Sequence, residues 1–187
     1  MRWAEKVSLT DHDRSRRFER LVLPHLDAAF ALARWLTRDN ADAADVVQEA
    51  YLRAYRYFDG FEGAEARPWL LSIVRRCAYD WLGRRKGTVP LDEIAESEVD
   101  ADSPMRVGTP DPEAAAIRND DARRVNRLIE GLPAEFREVL VLRELQDLSY
   151  AEIADIIAAP VGTVMSRLSR ARALLRRRLA REGAGEL

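Results

Sequence analysis

The stretch from Ser149 to Arg178, SYAEIADIIAAPVGTVMSRLSRARALLRRR, constrains this chain more than any other. Ser149 followed by Glu152 is an S-x-x-E capping box, in which each side chain satisfies a backbone donor of the other residue. Ile153, Ala154 and Ile157 then share one apolar stripe at helical spacing. Ala158-Ala159-Pro160 breaks that helix, because proline removes a backbone donor and suits the first turn of the next helix. The second helix sets Val164, Leu168, Ala171 and Leu175 on one side and shows Thr163, Ser166, Arg167, Ser169 and Arg170 near its start on the other. Between residues 156 and 181 there are seven arginines and no acid. A merely solvated face mixes signs to gain i,i+4 pairs. Two helices joined this tightly, the second one basic, predict a helix-turn-helix whose second helix enters the major groove of DNA.

The chemistry of that second helix divides along its length. Residues near its N-terminal end reach base edges: Arg167 suits guanine O6 and N7, Ser166 and Ser169 donate or accept, and Met165 suits a thymine methyl. Arg172, Arg176, Arg177 and Arg178 lie farther along and meet phosphates or solvent, carrying affinity rather than sequence information.

Nothing in the rest of the chain reads as a strand, since no period-two alternation is sustained and no Asn-Gly turn occurs. A first helical stretch holds Phe18, Leu21 and Val22, kinks at Pro24 and continues through Leu26, Ala29, Leu32, Ala33 and Leu36. Asp39 or Asn40 caps a second helix that buries Val46, Val47, Ala50, Tyr51, Ala54 and Phe58. A glycine-punctuated loop, Asp59 to Arg67, precedes a third long helix with Pro68 in its first turn. Its buried side is Leu70, Ile73, Val74, Cys77, Trp81 and Leu82. Residues 87–112 hold four prolines, seven acids and one arginine, the composition of a flexible acidic linker. Asp111-Pro112-Glu113 then starts a helix that runs to about Glu130, Gly131-Leu132-Pro133 breaks it, and Phe136, Val139, Leu140 and Leu142 lead into the helix-turn-helix. The fold class is therefore all-α: two small helical domains joined by a flexible acidic linker, the C-terminal one containing the helix-turn-helix. Boundaries fall at 1–13 (tail), 14–86, 87–112, 113–182 and 183–187 (tail).

Net charge also divides by segment, +3 over residues 1–86, −6 over 87–112 and +1 over 113–187. The whole-chain balance of −2 therefore hides two basic surfaces. The single Cys77 fits a reducing cytoplasm and falls on an apolar stripe, where core packing explains it better than nucleophilic chemistry. His12 and His25 lack partners at metal-ligand spacing, so neither metal nor cofactor is expected. No apolar run or signal-peptide core points to a membrane.

Three segments together carry a family resemblance: DNADAADVVQEAYLRAYRYFDGF, RPWLLSIVRRCAYDWLGRR and LPAEFREVLVLRELQDLSYAEIADIIAAPVGTVMSRLSRAR. In this order and spacing the chain resembles a bacterial sigma factor of the extracytoplasmic-function type over roughly residues 14–86 and 113–180. The resemblance implies a promoter-specificity subunit of RNA polymerase, whose N-terminal domain binds the polymerase clamp and the minus-ten element. Its C-terminal domain binds the minus-thirty-five element, with Thr163, Met165, Ser166, Arg167, Ser169 and Arg170 as the reading residues. On the second helix the implied polymerase contacts are Asp45, Gln48, Glu49 and Arg53, a face that without the resemblance reads as ordinary solvated surface. An anti-sigma partner is implied as well. The chain departs from the family pattern at Ala158, Arg76 and Met165, where glycine, asparagine and a polar or basic residue are frequent.

Minus-ten recognition requires holding an unstacked strand, which calls for cations and aromatic rings together. Arg75, Arg76, Tyr79, Arg84, Arg85 and Lys86 lie on or near the side of the third helix away from its apolar stripe. The loop before that helix, with Phe61 and Glu62, could hold a base taken out of the stack. Trp69, Tyr79 and Trp81 have a competing reading as core aromatics, favoured for Trp81. Two other classes compete with the sigma reading. A stand-alone helix-turn-helix repressor or activator would leave the first 86 residues as a sensor without a ligand motif. An enzyme on nucleic acid lacks a carboxylate cluster, a Walker loop, and a nucleophile with its base.

Overall fold

The computed structural model describes residues 3–63, 65–86 and 123–183, and every regular element among them is helical. Helix α1 (Trp3–Val22) passes through a 3-10 turn at Leu23–His25 into α2 (Leu26–Thr37). The break falls at Pro24, which has no amide to continue the ladder. Residues 1–13 were expected as a tail, but α1 begins at Trp3. No glycine or proline interrupts the run from Trp3 to Phe18, so the helix extends through it.

Arg38 ends α2 in the left-handed region, φ 65°, with its amide bonded to the Arg34 carbonyl. Asp39 then caps α3 (Asn40–Tyr57), accepting from the Asp42 amide at 2.9 Å. A 3-10 turn at Phe58–Gly60 and a short loop lead to α4 (Ala66–Lys86). Val46, Val47, Ala50 and Ala54 of α3 are buried with Leu70, Leu71, Val74, Cys77 and Ala78 of α4, and burial pushes the Cys77 thiol up. Trp81 and Leu82 are only half-buried. Aromatic rings seal one end of this bundle: Phe18 meets Phe58 edge-on at 5.2 Å, and Phe61 packs on Trp69 at 4.8 Å.

The C-terminal half contains α5 (described over 123–130), α6 (Ala134–Leu140), a π turn at Val141–Leu145, α7 (Tyr150–Ile157) and α8 (Val161–Gly183). Both capping-box bonds are present: the Glu152 amide donates to Ser149 Oγ at 3.2 Å, and the Ser149 amide donates to Glu152 Oε2 at 2.7 Å. Hydrogen bonds to its carboxylate from the Ser149 side chain, then from the Ser149 amide, hold Glu152 below its usual range. The turn between α7 and α8 places Ala158 at φ 52°, ψ 50°. A side chain in that region costs roughly 1–2 kcal/mol, which is why glycine suits such a C-cap. Ala158→Gly should therefore raise stability by about 0.5–1 kcal/mol, the relief of strain less the entropy of a freer unfolded chain. The midpoint of urea unfolding measures it, and a lower midpoint would mean that the strain is absent.

The two halves touch. Helix α4 packs on α7, α2 packs on α6, and the buried apolar residues of both halves form one continuous cluster. The acidic segment 87–112 and the expected helix start at 113 lie outside the described residues.

Candidate nucleic-acid interface

Helix α8 buries Val164, Leu168 and Ala171 and leaves Leu175 half-buried. Its first turns expose Met165 (53% exposed), Ser166, Ser169 and Arg170, with Thr163 half-buried. The Ser166 hydroxyl donates to the Thr163 carbonyl at 3.0 Å, leaving its lone pairs to accept. Arg167 does not point outward with them. It turns into the seam between the two halves and donates to Glu138 Oε1 at 3.1 Å. Arg172 pairs with Glu144 of the π turn at 2.6 Å, an exposed contact worth about 0–1 kcal/mol that a phosphate could replace. Arg176 donates to the Arg172 carbonyl at 3.3 Å and Arg177 is exposed. The sequence reading of Arg178 as a phosphate or solvent contact is corrected. It is half-buried and donates to the Leu128 carbonyl at 3.3 Å, tying α8 to α5.

On α4, Arg76, Arg84 and Arg85 are exposed and Lys86 closes the helix. Arg85 lies 5.1 Å over the Trp81 ring and pairs with Asp42 at 3.2 Å. Arg75 and Tyr79 do not point outward as the sequence reading drew them. Arg75 donates to Glu138 Oε2 at 2.7 Å, its guanidinium lies 4.7 Å over the Tyr79 ring, and both side chains are half-buried in the seam. Burial, then Glu138, pushes the Tyr79 hydroxyl up. The periodicity of α4 alone could not show that a second domain covers this side.

The loop gives a second correction. Phe61 is 6% exposed, stacked on Phe58 at 6.2 Å and packed on Trp69, so its ring belongs to the core and is not offered to a base. Burying an aromatic ring is worth about 1.5–3 kcal/mol, which exposure in a loop would forfeit. Gly63 makes room for it, since a Cβ there would lie 2.9 Å from the Phe61 ring. Glu62 remains exposed.

Asp45, Gln48 and Glu49 are exposed on α3. Arg53 donates to Glu49 at 2.7 Å and to Asp80 of α4 at 3.0 Å, so it links two helices as well as lining this face. The sequence reading missed Leu52, 58% exposed one turn beyond Gln48, which adds an apolar centre to the polar face. It also missed Glu138 and Gln146, both buried, whose partners lie far away in sequence.

Residues 21–88 match the family description "Sigma-70 region 2", and residues 122–175 match "Sigma-70, region 4". The "ECF RNA polymerase sigma-E factor" of Escherichia coli (strain K12) is 39% identical over 137 residues, 71% of each chain. This chain belongs to the sigma factors of the extracytoplasmic-function type. The "RNA polymerase sigma-H factor" of Pseudomonas aeruginosa is 34% identical over 161 residues, 84% of this sigma factor and 83% of that one. Among solved structures, the sigma factor RpoE in complex with the anti-sigma factor NepR from Bartonella quintana superposes with a TM-score of 0.68. It is 27% identical, with 88% of this chain and 98% of that one covered. CnrH in complex with the cytosolic domain of CnrY gives 0.62 at 28% identity, covering 89% of each chain. Sigma factors are DNA-binding transcription initiation factors. None of the described helices of this chain is long and apolar enough to cross a membrane.

Proposed function

We propose that residues 14–86 act as sigma domain two and residues 113–182 as sigma domain four, joined by the acidic tether 87–112. Domain four reads the minus-thirty-five element with Thr163, Met165, Ser166, Arg167, Ser169 and Arg170, while Arg172, Arg176 and Arg177 neutralise phosphates. Domain two meets the minus-ten element with Arg75, Arg76, Tyr79, Arg84, Arg85, Lys86 and Glu62. It docks on core polymerase through Asp45, Gln48, Glu49 and Arg53, with Leu52 at the centre of that face. The observation that carries this reading is the capped helix-turn-helix whose second helix exposes Met165, Ser166, Ser169 and Arg170 and bears no acid up to residue 181. The protein works in the cytoplasm, answers a stress or envelope signal, and is held inactive by an anti-sigma factor, the class of partner named in the NepR complex.

In vitro transcription with sigma-free core polymerase and a promoter library tests the reading. Specific transcripts that require this protein support it; duplex binding without core, and no transcription, would make it a stand-alone repressor or activator. Within the same assay, Arg167→Ala should reduce the preference for cognate over upstream-mutated promoters by about tenfold, in line with roughly 1–3 kcal/mol for one bidentate base contact. An unchanged ratio would remove Arg167 from base reading. Arg177→Ala should instead weaken binding evenly across sequences and make the salt dependence shallower by about one unit.

A further inference from the structure

Four guanidiniums gather around one carboxylate where the ends of α2 and α5 approach α6 and α8. Arg34 pairs through Nη2 with Glu130 at 3.3 Å, and Arg137 donates from Nη1 to the Glu130 carbonyl at 2.9 Å. Arg178 donates to the Leu128 carbonyl at 3.3 Å. Gly131 leaves room for it, since a Cβ there would strike the Arg178 guanidinium. Arg38 completes the group, close enough to feel both Glu130 and Arg178 and to act on Arg137.

The partners of this group do not match its charge. Arg137 and Arg178 are held by neutral carbonyls, and the Glu130 carboxylate goes to Arg34. Arg137 is 2% exposed, and among the described residues neither its Nε nor the buried Arg34 Nη1 has an acceptor. Burial, then the nearby Arg38, pushes the Arg137 guanidinium down to about 10, and burial lowers Arg38 as well. Buried cations are normally paired and buried N–H groups normally bonded, so two open donors inside a surplus of positive charge call for an anion.

The chemistry of the donors selects the anion. Guanidinium forks match the oxygens of a phosphate, which accepts from several arginines at once, and a dianion answers more of the surplus than a carboxylate does. Access selects its size. Arg34, Arg38 and Arg178 are half-buried, so the group is reached from solvent, while Arg137 lies too deep for the backbone of a rigid duplex. None of the four arginines belongs to the promoter-reading or polymerase-docking sets named above.

We propose that this cluster binds a small phosphate dianion, free or carried by a small phosphorylated molecule, with Arg34 Nη1 and Arg137 Nε donating to its oxygens and Arg38 and Arg178 supplying charge. Calorimetric titration and thermal unfolding of the full chain test it, in chloride buffer with inorganic phosphate and methyl phosphate as probes. Constant ionic strength removes general screening. An anion that binds only the folded chain raises its stability by mass action, so phosphate at about a hundred times its dissociation constant should raise the unfolding midpoint by roughly 5–10 °C. Arg34→Gln and Arg137→Met should each weaken phosphate binding at least about tenfold, the loss of one charge-assisted donor set. Arg56→Gln, which removes an exposed arginine of α3, should leave it unchanged. If circular dichroism shows Arg137→Met to be unfolded, Arg34→Gln decides alone. Methyl phosphate binding as tightly as phosphate assigns the site to a phosphorylated molecule, and binding of phosphate alone assigns it to the free anion; either result upholds the site. No saturable binding of either probe, binding retained in the folded variants, or an equal loss in Arg56→Gln overturns it. Displacement of bound phosphate by a short duplex of mixed sequence overturns it too, and would make these arginines part of the DNA surface.

Discussion

Replacing Asp45 and Glu49 together by lysine should lower affinity for core RNA polymerase at least about a hundredfold, some 2.7 kcal/mol. Both carboxylates are exposed on α3, two turns and one turn before the exposed Leu52, so the pair forms a charged border on one side of an apolar anchor. Reversing such charges turns attraction into repulsion at close range, which costs more than neutralising them. Glu49 also accepts from Arg53, and its reversal places two cations side by side while Asp80 still holds Arg53. The fold should tolerate this, since exposed pairs contribute about 0–1 kcal/mol. Pull-down with core enzyme and circular dichroism decide together. Unchanged core affinity in a folded variant would return α3 to the role of a solvated face.

The largest loss of stability should follow Phe58→Ala, about 3–5 kcal/mol for a buried aromatic truncated to a methyl group. Phe58 is 1% exposed and sits among Phe18, Phe61 and Trp69, which hold α1 and the loop against α4. Its removal opens a cavity that three rings cannot close without leaving their own contacts. Chemical denaturation gives the number, and a loss below 1 kcal/mol would mean that the aromatic cluster is not closely packed. Phe61→Leu is the companion experiment. A core role predicts a modest loss of stability with minus-ten recognition retained, whereas a base-stacking role predicts the reverse.

Local features were legible in the sequence because their partners lie within one turn. Ser149 and Glu152, and Asp39 with the Asp42 amide, are separated by three residues. The break at Pro24 and the apolar stripes of α3 and α7 follow from the backbone and from helical period in the same way. The seam was not legible, because its contacts span the chain: Arg75 and Glu138 are 63 residues apart, and Arg67 and Gln146 are 79. Within VLVLREL and its flanks, Glu138 looks like one more surface acid, and nothing nearby announces two arginines closing over it. Phe61 was misplaced because glycines on either side made its segment read as surface loop, while the ring folds back on Trp69. Arg178 was hidden among identical neighbours, and only the position of α5 distinguishes it from Arg177.

The left-handed alanine at position 158 has a consequence for how this sequence can change. Every alanine codon becomes a glycine codon by one substitution at its second base. The relaxed version of the interhelical turn is therefore a nearest genetic neighbour of the present chain, reached without passing through any other residue. Natural proteins sit above a stability threshold and not at an optimum, so single steps of this kind remain open to them. Random mutagenesis followed by selection for heat-resistant transcription should recover codon 158 early, ahead of core changes that require two or more coordinated replacements.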